Sequence, residues 1–140
     1  FGNNAIAKTF AKASGPFQII REMCDNENCG YGTYITSAFE AISGKNYDRI
    51  FVVSDMQTMA PMSRWSYIDG GVSTYNEYCA KHGRTICYSF DLANYSNQVA
   101  NPNNSDVHLM TALNDNIFKM LRFVEEGGEL VDYINDNYTI

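Results

Sequence analysis

The sequence predicts an α/β protein, a parallel sheet with flanking helices, and three observations carry that expectation. Arg49-Ile-Phe-Val-Val-Ser-Asp55 contains an apolar run too short for a helix, which reads as a strand buried on both faces, as parallel sheets require. A second strand, Arg84 to Phe90, ends at Asp91. Between them lies a helix-like piece, Ser73 to Lys81, closed by His82-Gly83, and strand, helix, strand is the rhythm of a βαβ unit.

The remaining elements follow in order. Phe1 and Gly2 read as the tail of a strand, Gly2-Asn3-Asn4 as a tight turn and Ala5 to Phe10 as a short strand, which together make half of a hairpin. Pro16 suits the first turn of a helix whose Phe17, Ile20, Met23 and Cys24 recur at spacings of three and four; the polar run Asp25 to Asn28 ends it. Thr33 or Tyr34 opens the next helix, with an apolar stripe of Ile35, Ala38, Phe39 and Ile42, and Gly44 suits its left-handed closing position. Met56 to Gly71, with Pro61, Gly70, Gly71 and the only tryptophan, Trp65, reads as a long irregular connection. Asn94 to Asp106, rich in Asn and Ser around Pro102, is a loop, and Val107 to Ala112 a last strand. Asn114 or Asp115 caps a final helix with Ile117, Met120, Leu121 and Val124 on one face; Gly127-Gly128 breaks it before Leu130, Val131 and Ile134 resume the pattern.

Composition sets limits on function. The chain has 140 residues, 45% of them hydrophobic and 14% aromatic, enough for a core of one domain or a piece of one. A formal charge of −6 is unfavourable for binding nucleic acid unaided, because affinity for phosphates comes from Lys and Arg releasing counterions. No apolar stretch approaches the roughly 20 residues of a membrane span, so the expectation is a soluble, cytoplasmic protein. Cys24, Cys29, Cys79 and Cys87 form no CxxC pair, and Cys24, Cys29 and His82 lack metal-ligand spacing, so reduced thiols are expected. His82 fits the last turn of a helix, and His108 lies in a strand with no acid at reactive spacing; neither is assigned catalysis.

One position stands out as a candidate site. In open parallel sheets, ligands bind beyond the carboxyl ends of the strands, which is where Asp55 falls. Its plain alternative is a loop acid satisfied by nearby backbone amides. Gly30-Tyr-Gly-Thr33 at the mouth of the preceding helix supplies a hydroxyl, and a hydroxyl with a carboxylate suits Mg²⁺ or Mn²⁺. Tyr31, Tyr34, Gln57, Trp65 and Tyr67 would rim such a site, although loop anchoring is the simpler role for the aromatic residues. Tyr75, Tyr78 and Tyr88 read as core or half-buried, and Glu125-Glu126 with Asp132 as a solvated helix face.

In this order these residues resemble the von Willebrand factor A domain: Gly-Tyr-Gly-Thr33 opening a helix, Val-Val-Ser-Asp55 ending a strand, then strand, loop, strand and helix. The resemblance implies a Rossmann-like von Willebrand A-type parallel sheet. It also implies a metal-ion-dependent adhesion site (MIDAS), in which Thr33 and Asp55 match the threonine of the second loop and the aspartate of the third. Phe1-Gly-Asn-Asn4, Asp55-Met-Gln-Thr58, Asn101-Pro-Asn-Asn104 and the C-terminal helix are most similar to Ro-type (TROVE) proteins. Those proteins close a helical-repeat ring with this domain and bind small noncoding RNA.

The Asp-x-Ser-x-Ser loop that the family places after its first strand occurs nowhere in the chain. The resemblance therefore implies that the first strand and first helix are missing, and that the chain is part of a longer polypeptide or is completed by another. In the family's strand order the absent strands lie mid-sheet, separating the Ala5 strand from the Arg49 strand. The Arg49 strand would then need cover from a complementing chain or from a second copy. If the likeness is coincidental, a small three- or four-stranded sheet closes by itself.

The leading expectation is a non-enzymatic, metal-dependent binding module of a Ro/TROVE-like protein, reaching small noncoding RNA through the complete molecule. One rival is an α/β metal-assisted hydrolase or phosphotransferase using Asp55, with Asp91 as the plausible second carboxylate. The other is a metal-free structural interaction domain.

Overall fold

Three parallel strands, β1 (Arg49–Ser54), β2 (Ile86–Asp91) and β3 (Val107–Met110), lie in the order β1-β2-β3. The computed structural model describes residues 2–24, 29–30, 32–57, 70–93, 100–111 and 116–127, with 132 and 135. The helices traced through described residues are α1 (Pro16–Cys24), α2 (Ile35–Ile42), α3 (Gly70–His82) and α4 (Ile117–Glu125). The protein is thus α/β, with a small open parallel sheet flanked by helices. The register sets Arg49 against Ile86 and Ser54 against Asp91, and Cys87 against Val107.

Side-chain alternation along the strands feeds two apolar layers. On one face Ile35 and Phe39 of α2 and Tyr75 and Tyr78 of α3 pack with Val52, Met56, Cys87, Ala100 and Val107. On the other, Ile117 and Leu121 of α4 pack with Tyr88 and Phe90. Phe39 meets Tyr75 and Tyr78 edge to face. Two buried hydroxyls tie α3 to the loops beside it: the Tyr75 hydroxyl donates to the Thr85 carbonyl at 2.6 Å and the Tyr78 hydroxyl to the Lys45 carbonyl at 2.7 Å. Gly83 follows α3 with φ +94° and Gly127 follows α4 with φ +89°, a left-handed geometry that costs glycine little.

Several expectations are corrected. Ala5 to Phe10 forms no strand. The Gly2 turn docks on the loop ahead of α2: the Asn4 amide donates to the Cys29 carbonyl at 2.9 Å and the Tyr34 amide to the Gly2 carbonyl at 3.2 Å. A Cβ at Gly2 would collide with the carbonyls of Cys29 and Gly30. α1 is helical as expected, yet its apolar stripe faces solvent, with Phe17 85% exposed and Ile20 and Met23 also exposed. α2 closes through Ser43, in right-handed geometry, and not through a left-handed Gly44. α3 starts at Gly70, so Gly70-Gly71 belongs to the helix rather than to the connection before it.

β1 is not buried on both faces: only Val52 is buried, while Phe51 and Val53 are 46% and 47% exposed. The strand lies at the sheet edge, paired with β2 alone among the described residues. The N-cap of α4 is Asn116, which makes no side-chain capping bond; Asn114, Asp115 and the Leu130, Val131 and Ile134 pattern lie outside the described residues. No described helix is long and apolar enough to cross a membrane.

Candidate functional site

β1 runs straight into Asp55, and the chain then turns sharply. Met56 takes φ +59°, unusual for a residue with a side chain, and its thioether is driven into the core, where the Ser89 hydroxyl donates to it. That turn leaves Asp55 half-buried at the carboxyl edge of the sheet. Its Oδ1 accepts the Gln57 amide at 3.2 Å and the Ser54 hydroxyl at 3.4 Å, while Ser54 Oγ accepts the Met56 amide at 3.2 Å. These bonds are those of an acid serving its own turn.

Asp91 ends β2 in the same manner, its Oδ1 accepting the Ala93 amide at 3.0 Å. The two acids close adjacent strands that are tied at that end by the Leu92 amide donating to the Ser54 carbonyl at 2.9 Å. Thr33 is half-buried just ahead of α2. Ile35, two residues on, shares a core cluster with Met56, so the mouth of α2 and the end of β1 belong to one packed layer. No hydrogen bond joins Thr33 to Asp55 among the described residues. Glycines at Gly30 and Gly32 are required there: Gly30 has φ +79°, and a Cβ at Gly32 would strike the Asn3 amide group, whose Oδ1 accepts the Gly32 amide at 2.6 Å.

Of the expected rim, Tyr34 is half-buried beside Gly32 and Gln57 is exposed. Trp65, Tyr31 and Tyr67 lie outside the described residues. Among the described residues no three His, Cys, Asp or Glu side chains gather to hold a metal. Thr33 and Asp55 offer hard oxygens of the right kind for Mg²⁺ or Mn²⁺, as part of a set that other groups would have to complete.

A second polar centre, read from sequence as solvated surface, lies on the α4 face. Glu125 is not a free surface acid: it receives Arg49 through both Nε and Nη2 and also the Tyr88 hydroxyl. The guanidinium and the phenol hold its carboxyl down at about 2, and burial with the Glu125 charge pushes the Tyr88 phenol up. Tyr88 stacks between Phe51 and His108, with ring centroids 5.0 Å from each. Glu126 remains exposed, pairing with Arg122 at 2.8 Å. No sequence signal marks the Glu125 role, because Glu125 and Glu126 are adjacent letters and only the fold brings one of them to Arg49.

His82 does occupy the last turn of α3, where Nδ1 lies 2.6 Å from Asn46 Oδ1 and the ring rests on Tyr78. Cys87 is fully buried, and burial pushes its thiol up to about 12. Compared with known proteins, the chain matches no family model, no curated protein and no solved structure.

Proposed function

We propose that the chain is a non-enzymatic binding module of the von Willebrand A kind, whose carboxyl sheet edge contributes Thr33 and Asp55 to a MIDAS-type site for Mg²⁺ or Mn²⁺. In the complete molecule, with the remaining ligands supplied by the rest of the parent polypeptide or by a complementing chain, the cation would grip an acidic group of a partner. The Ro/TROVE likeness extends this to a cytoplasmic protein that binds small noncoding RNA, the cationic contacts coming from elsewhere, since this chain carries −6. One observation supports the reading: Asp55 follows β1 at the carboxyl edge of a parallel sheet, and its neighbour Met56 packs in the layer that holds Ile35 at the start of α2, two residues past Thr33.

A metal-free interaction domain is the second reading, favoured by the bonds that Asp55 makes to its own turn. Titration calorimetry with Mg²⁺ and Mn²⁺ separates the two. Weak binding that disappears in both Asp55→Ala and Thr33→Ala supports the cation site, because two protein oxygens on a hydrated ion give low affinity. No binding at all favours the metal-free domain. Metal-dependent hydrolysis of phosphomonoesters or diesters, lost in Asp55→Asn, would replace both with the hydrolase reading.

A further inference from the structure

The outer edge of β1 carries a row of side chains that is complementary to itself only when reversed. The Ile86 amide donates to the Asp48 carbonyl and the Leu92 amide to the Ser54 carbonyl, so even-numbered residues of β1 turn their backbone groups toward β2. Odd-numbered residues, Arg49, Phe51 and Val53, therefore turn theirs outward. No backbone hydrogen bond reaches that edge among the described residues, those of residues 5–11 included. Lys8 comes to the rim of the groove beside Ile50 and Val52, but its amine is tied to the Glu22 carbonyl.

The same odd positions lie on the α4 face. There the row reads Arg49, Phe51, Val53 and, one step past the strand, Asp55: a cation, two exposed hydrophobes and an anion. A groove of about 580 Å³ opens beside it, lined by Phe51, Phe118 and Leu121 and by the ion pairs of Arg49 with Glu125 and Arg122 with Glu126. A parallel copy in register would set Arg49 on Arg49 and Asp55 on Asp55. An antiparallel copy with Val52 facing Val52 sets Phe51 against Val53 and Arg49 against Asp55, each contact made twice by the two-fold axis.

We propose that this edge is a homodimer interface, in which β1 pairs antiparallel with β1 of a second copy about a two-fold axis at Val52, making one continuous six-stranded sheet. In that register Phe51 and Val53 face each other with outward-turned backbone groups, so the pairing satisfies the open edge while covering its exposed side chains. Arg49 can serve both partners. Its Nε and Nη2 are given to Glu125, and Nη1 has no hydrogen-bond partner among the described residues, leaving it for the Asp55 carboxylate of the second copy. The inference rests on the β1 edge and not on the cation site: the second copy takes the place beside β1 that the von Willebrand A reading gives to a strand of the parent polypeptide or of a complementing chain, and because a cation on Asp55 would compete with Arg49, it is tested in EDTA.

Light scattering of the 140-residue chain at micromolar concentration should give the mass of a dimer. Val53→Lys, which places a charge twice in each interface, should raise the dissociation constant by about tenfold or more, with the circular dichroism spectrum unchanged. The register is read by oxidation. Val52→Cys should form an intermolecular disulfide, since residues on the two-fold approach within bonding distance, whereas Phe51→Cys and Val53→Cys should form little. A monomer in EDTA, a dimer indifferent to Val53→Lys, or cross-linking at 51 or 53 in place of 52 would overturn the proposal.

Discussion

At the scale of single residues, the polar group with the most at stake is Glu125. Arg49 and Tyr88 both donate to its carboxylate, which titrates at about 2 in the folded protein against an ordinary value of 4.5. A folded-state value below the unfolded one means that the carboxylate contributes stability above pH 4.5, and that this contribution is lost as pH falls from 4.5 toward 2. Glu125→Gln should lower the urea midpoint at neutral pH and flatten its decline through that window. Urea titrations at a series of pH values check both; a mutant that keeps the wild-type slope would place the acid sensitivity elsewhere, with Asp106 next, since Arg84 holds its carboxyl low. Sequence patterning could not find this centre. Glu125 and Glu126 are adjacent letters, and only the packing of α4 on β2, which brings Glu125 to Arg49 and Tyr88, makes one an anchor and leaves the other exposed.

At the scale of elements, legibility followed burial. β2, α2 and α4 bury the apolar residues that marked them, so their positions could be read from the sequence, whereas β1 was legible as an apolar run although only Val52 of it is buried. α1 shows the limit of that signal: Phe17, Ile20 and Met23 have helical spacing, and the helix forms, but period alone says nothing of what the stripe faces. Ala5 to Phe10 shows another limit, because a strand needs a neighbour as well as a composition. For the candidate site, the position of Asp55 at a strand end was legible, while the left-handed Met56 that sets its turn was not.

α3 is less amphipathic than α1, α2 and α4 and relies on polar anchors. Tyr75 is buried and donates to the Thr85 carbonyl where the chain enters β2, and the Thr85 hydroxyl in turn donates to the Tyr47 carbonyl at 2.9 Å ahead of β1. Tyr75→Phe keeps the ring packing and strands that carbonyl, so the expected loss is about 1–2 kcal/mol, the cost of an unmade buried hydrogen bond. Chemical denaturation measures it. A loss near zero would mean that the ring alone fixes α3 to the sheet.

At the scale of the molecule, the sheet is the frame on which everything else depends, and its central and edge strands are unequal. β2 is flanked on both sides and nearly wholly buried, whereas β1 offers one face to α2, part of the other to α4, and an outer edge to whatever pairs with it. Amide exchange reads that asymmetry one residue at a time. The parallel ladder protects the Ile50 and Val52 amides through β2 regardless of association, because their groups turn inward. The Phe51 and Val53 amides turn outward, so in a monomer they should exchange at nearly the rate of an open chain. In the paired sheet they should be slow, with protection that grows with protein concentration. Exchange followed across a dilution series decides the case: alternation along β1 that fades as concentration rises is the expected pattern. Uniform slow exchange at every dilution would mean that a segment of the chain itself covers the edge, and uniform fast exchange would mean that β1 does not hold to β2.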